Sequence, residues 1–201
     1  MPQQLKYLFD ASTDFDKDEY LDCEETWYEE IAYKIAGLGQ PGVDFLLSRV
    51  TAADEARLRA IIGAIAWPKE KSERIYEMLR FYLNDPMPLV VSEVIDTARH
   101  LNYTEFLDEV LARQNHASPY VVGSVLRYLA QHYSLLAKPL LLEALEAQDP
   151  IIIQNGIDEL DILEASEALP KIRQLQSHVD ENVRRAAQSA VASLQELSEQ
   201  D

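Results

Sequence analysis

The sequence predicts an all-α chain: a right-handed α-solenoid of about five stacked helical hairpins behind an N-terminal capping helix. Three observations carry this. Apolar residues recur at helical spacing almost throughout, as in Trp27, Tyr28, Ile31, Ala32 and Ile35. Glycine is scarce, 6 of 201 residues, and no strand-like alternation persists. Helix-start signals return with a period of about 32 residues, long enough for two helices and two turns, and such a unit needs its neighbours to cover its apolar face.

Residues 1–40 form an acidic N-terminal segment ending in one amphipathic helix. From 41 onward first helices at 41–50, 69–83, 103–114, 134–147 and 166–177 alternate with second helices that start at Thr51, Asp85, Ser118, Asp149 and Asp180, spaced 34, 33, 31 and 31 residues apart. The pairs Asp85-Pro86, Ser118-Pro119 and Asp149-Pro150 set an N-cap side chain before a proline at the first helical position, where its missing N–H leaves nothing unsatisfied. Thr51 and Asp180 give the same signal without proline. The repeats run to 197, residues 198–201 are a tail, and the whole is read as one domain.

The stretch ALPKIRQLQSHVDENVRRAAQSAVASL resembles a HEAT repeat, including the subclass first noted in phycobilisome lyases. Pro170 in the first helix, Asp180 in the turn, Val183-Arg184 and the small residues Ala186, Ala187 and Ala190 carry the resemblance. Only Arg184 holds the arginine position of the family's Asp-Arg ladder; Val122 and Ile153 stand at the equivalent places. The resemblance implies that the second helices line a concave face where partners bind.

With 35 acidic and 18 basic residues the net charge is −17, which repels phosphate backbones and anionic headgroups. Nucleic acid and membrane are therefore excluded as partners in favour of a protein with a basic surface. The start MPQQLKYLFDAST has no basic and apolar leader pattern, and no long apolar run occurs, so a cytoplasmic location is expected. The single Cys23 permits no internal disulfide.

The stretch DFDKDEYLDCEE, 14–25, approaches a calcium loop, with Asp14, Asp16, Asp18 and Glu25 as oxygen donors and Tyr20 as the backbone carbonyl. Position 6 of such a loop turns with positive φ and favours glycine, whereas this chain has Glu19. Asp22 as N-cap with Glu25 three residues on explains the same acids as a capped helix entrance, so no metal or cofactor is assigned. His100 and His132 end neighbouring second helices without HExxH spacing and read as cations at negative helix ends.

The expected groove presents Glu93, Asp96 and His100, then Arg127, Tyr128 and Gln131, then Gln154, Asp158 and Asp161. It is a polar, mostly acidic surface with an aromatic and basic island at Arg127 and Tyr128, residue types enriched at binding hot spots. No phosphate-cradling glycine loop, GxSxG elbow or Cys/His signature appears. The reading is a non-catalytic protein-binding module or adaptor, or an inhibitor that masks a basic protein. Two alternatives stand beside it: a bilin lyase-like chromophore handler, implied by the resemblance, and a calcium-binding HEAT protein using 14–25.

Overall fold

The computed structural model describes residues 3–10 and 24–198. Among them every regular element is helical, and contacts gather into two compact units, Met1–Tyr103 and Thr104–Asp201. Of the calcium-loop candidates, Asp14, Asp16, Asp18 and Tyr20 lie outside the described residues, as do Asp22 and Cys23, and Glu25 is described in its backbone only.

The first unit contains α1 (Gln3–Asp10), α2 (Glu24–Ala36), α3 (Gln40–Leu47), α4 (Glu55–Ala64), α5 (Glu73–Tyr82) and α6 (Pro88–His100). Helices α2, α4 and α6 pack in succession, with α1 and α3 laid on α2 and α5 on α6. The second unit repeats the plan with α7 (Leu107–Leu111), α8 (Pro119–His132), α9 (Ser134–Ala144), α10 (Pro150–Ile162), α11 (Leu169–Leu175) and α12 (Glu181–Ser198). Here α8, α10 and α12 form the succession, α9 packs on both α8 and α10, and α11 packs on α12. The stacked helical hairpins of the expected solenoid class are thus present within each unit.

Helical periodicity decides which side each helix buries. On α6 the buried residues include Val90, Val91, Val94, Ile95 and Ala98, and on α10 they include Ile153, Gly156, Ile157 and Leu160. Aromatic residues close the start of the first unit. Phe9 of α1 packs edge-on against Tyr28 and Phe45 at 6.0 and 6.3 Å, and Arg49 clamps the end of α1 through a two-pronged contact with Asp10 at 2.8 and 2.9 Å. The sequence places one helix before residue 41, whereas the structure adds α1, a short amphipathic helix whose eight residues bury a single side chain, Phe9.

Several helix starts follow the expected chemistry. Asp149 accepts the Ile151 N–H at 2.9 Å, and Asp180 accepts those of Asn182 and Val183 at 2.9 and 3.1 Å. Ser118 is the N-cap of α8 but makes no side-chain cap; instead its own N–H donates to His116 Nδ1 at 3.0 Å. Two starts are corrected. Thr51 lies in a 3-10 turn, Val50–Ala52, and the cap of α4 is Asp54, which accepts the Arg57 N–H at 3.0 Å. Helix α6 begins at Pro88 rather than Pro86, because Met87 precedes a proline and is held extended at φ −90° and ψ 114°. Asp85 then serves as a turn residue, accepting the Met87 N–H at 2.8 Å.

Close helix approach is greatest at Gly42 in α3, where an added Cβ would sit 1.8 Å from the carbonyl oxygen of Ile35 in α2. At Gly123 the nearest atom to such a Cβ is the movable end of the Asn155 side chain, at 2.8 Å. Gly42→Ala is therefore expected to force backbone apart and destabilise the protein by about 3 kcal/mol, while Gly123→Ala costs about 1 kcal/mol. Urea unfolding followed by circular dichroism measures both, and equal losses would contradict this ranking.

Candidate functional site

The residues expected to line a groove fall into two groups. Glu93, Asp96 and His100 stand on α6 in the first unit, and Arg127, Tyr128, Gln131, Gln154, Asp158 and Asp161 stand on α8 and α10 in the second.

In the first unit, α2, α4 and α6 bring Tyr33, Gly63 and Glu93 together. A Cβ on Gly63 would lie 2.7 Å from Glu93 Oε1 and 3.5 Å from the Tyr33 hydroxyl, so the bare glycine makes room for both polar tips above the α4 backbone. Burial, followed by the nearby Glu93 and Glu29 charges, raises the Tyr33 pKa above the ordinary phenol value. Trp67 stands edge-on to Tyr33, with ring centroids 5.7 Å apart. It follows the end of α4 in the turn before Pro68, which carries its side chain away from the core: Trp67 is 64% exposed and Tyr33 40%. On the same helix as Glu93, Asp96 pairs with Arg99 at 3.4 Å, and Arg99 Nη2 lies 3.0 Å from Nε2 of the exposed His100.

Neither Tyr33 nor Trp67 is among the site residues expected from the sequence. Tyr33 has Glu29 and Glu30 one turn before it, the mark of a solvent-facing helix side, and Trp67 stands beyond the end of α4 and before Pro68, where no helix turns it inward.

In the second unit the polar residues of α8 and α10 form a connected crossing. Arg127 donates to Asn155 Oδ1 through Nη1 and to Ser124 Oγ through Nη2 at 2.9 Å, while Asn155 Nδ2 donates to the Ile151 carbonyl at 2.7 Å. Desolvation by its neighbours raises the Asp158 pKa although the residue stays exposed; a hydrogen bond with Gln154 opposes this, the Asp161 charge adds to it, and Arg127 opposes it. Asp161 Oδ1 is itself buried without a hydrogen-bond partner. Gln131 is exposed farther along α8.

Tyr128 is corrected from surface anchor to core residue. It is 0% exposed, its ring packs against those of His132 and Tyr133 at 4.9 and 6.3 Å, and burial drives its phenol pKa strongly upward. The helical stripe of Val121, Val125, Tyr128 and Leu129 points inward, so position 128 cannot face a partner. Among the described residues no three His, Cys, Asp or Glu side chains gather to hold a metal ion, and no helix is long and apolar enough to cross a membrane.

Truncation of Tyr128 to alanine should remove a fully buried ring and lower stability by about 3–5 kcal/mol, measured by chemical denaturation. A carboxyl whose folded pKa lies above its unfolded value is destabilising when charged, and the penalty fades as pH falls through the folded value toward the unfolded one. Asp158→Asn is accordingly expected to raise Tm at pH 7, with the gap from wild type closing by about pH 4 in thermal scans across that range.

No family model matches this chain, and no curated protein matches it. Solved structures do. It is similar to an engineered protein at 18% identity, covering 98% of this chain and 100% of that one with a TM-score of 0.59, and to a second engineered protein at 14% identity, covering 97% and 98% with a TM-score of 0.58. It is also similar to a designed armadillo repeat protein in complex with the peptide (KR)4, at 19% identity over 96% of this chain and 100% of that one, with a TM-score of 0.53. At these identities the likeness is one of fold, that of helical repeat proteins.

Proposed function

We propose that this protein is a non-catalytic binding module that recognises a basic segment of another protein through the solvent-facing side of its second helices. The observation that carries this reading is the exposed Tyr33–Trp67 pair set beside the Glu93 carboxylate over Gly63. An aromatic face attracts a cation through its quadrupole, and a neighbouring carboxylate adds a charge-assisted contact, so lysine or arginine side chains suit this surface. A net charge of −17 supplies the long-range attraction that speeds encounter with such a partner. The designed armadillo repeat protein of similar fold is itself in complex with an alternating lysine–arginine peptide, which supports the same ligand chemistry on this architecture.

The test uses a fluorescently labelled lysine–arginine octapeptide and anisotropy titrations at low and high salt. Wild type is expected to bind at low salt and weaken as salt rises. Trp67→Ala should weaken binding by about three- to tenfold while circular dichroism shows the helices intact. Absence of binding, or full-strength binding by Trp67→Ala, would overturn the assignment.

A further inference from the structure

The second unit contains a cleft of about 510 Å³ that the proposed partner surface does not use. It opens between the hairpin of α7 and α8 and the hairpin of α9 and α10, at the end where their connecting turns lie, and its cause is a difference in helix length. Helix α7 ends after five residues, at Leu111, whereas α9 runs for eleven. The chain from 112 to 118 continues as turns, so Gln114, Asn115 and His116, rather than a longer helix, line that side of the cleft.

Side chains of Val122, Leu126, Leu140 and Ile152 give the cleft an apolar floor. Its rim is acidic and amide-rich: Glu143 and Glu146 from the α9 side, Gln114 and Asn115 from the turn after α7. The lining includes no lysine or arginine. His116, also at the rim, uses Nδ1 to accept the Ser118 N–H at 3.0 Å. The two rim carboxylates differ. Glu146 is paired with Lys171, whereas the exposed Glu143 carboxylate has no ion-pair or hydrogen-bond partner among the described residues.

We propose that this cleft binds a small organic cation, an apolar body carrying one ammonium group. The volume lies within the range of small-molecule sites, where apolar walls supply most of the burial and a few polar groups fix orientation. The apolar body lies on the Val122–Ile152 floor and is removed from water. The ammonium stays at the mouth, partly hydrated, beside Glu143, so no full charge is buried. An anion of the same shape meets two carboxylates and only one compensating lysine, Lys171.

Two probes with the same body and opposite charge test the assignment: 4-phenylbutylamine and 4-phenylbutyrate, titrated into the full chain and followed by two-dimensional amide NMR. The amine is expected to shift signals from residues 114–116 and 140–147 saturably, with a dissociation constant of about 1 mM or tighter. The acid should bind at least about threefold more weakly, and Glu143→Lys should invert that order. Ala147→Phe, at the rim, should reduce binding of both probes by filling the mouth. Absence of a saturable shift, equal affinity for the two probes, or an order unchanged by Glu143→Lys would each overturn the proposal. These outcomes are independent of the peptide titrations, which read the first unit's Trp67 surface.

Discussion

Close approach of successive second helices is the constraint on which each unit depends. A helical hairpin cannot bury both its helices' apolar stripes alone, so its stability comes from contact with the next hairpin. Packed helix axes lie about 8–10 Å apart, and the lower part of that range requires small side chains at the crossing. Gly63 beneath Glu93 and Gly123 beneath Asn155 occupy corresponding places at the α4–α6 and α8–α10 crossings. Gly156 does the same between α10 and α9, where a Cβ would stand 3.0 Å from that of Ala144 and 3.2 Å from the Leu141 carbonyl oxygen. Fully or almost fully buried Ala187 and Ala190 continue the pattern on α12.

That constraint also sorts polar side chains into structural and accessible sets. At the α8–α10 crossing, Arg127 is held by Asn155 and Ser124, so its guanidinium is committed within the unit. At the α4–α6 crossing, Thr97 Oγ1 donates to the Ile62 carbonyl at 3.0 Å and is buried. Side chains at helix ends escape this demand because no neighbouring turn of helix covers them. Trp67 is such a residue, and its exposure follows from its position after α4 rather than from its chemistry, which alone would favour burial.

The repeat is legible in the sequence because proline and capping residues act locally. Asp149-Pro150 and Ser118-Pro119 begin helices where expected, and the first helices of the later hairpins fall within the predicted segments. Misplaced starts come from competition between similar local signals: Pro86 against Pro88, and Thr51 against Asp54. The candidate site is less legible because facing depends on a helix's rotation within the packed unit. Arg127 and Tyr128 are adjacent in sequence, yet a rotation of about 100° per residue places one in a polar crossing and the other in the core. Contacts such as Tyr33 with Trp67, or Tyr28 with Arg57 at 2.8 Å, join residues about thirty positions apart, and no local pattern announces them.

Inequality between the two helix layers accounts for where open space remains. In the second unit, α8, α10 and α12 span 14, 13 and 18 residues, against 5, 11 and 7 for α7, α9 and α11. Two of those short helices are preceded by 3-10 turns, Thr104–Phe106 and Ser166–Ala168, which bury Phe106 and Ala168 before α-helix begins. The turns thus secure the core with few residues and leave the remainder of each connection free to form surface. The long helices maintain the hairpin stack while the short ones set the size of the gaps along its edge. A cleft at the end of α7 therefore arises without an unfilled core: Val110 of α7, Val125 of α8 and Leu141 of α9 are all fully buried.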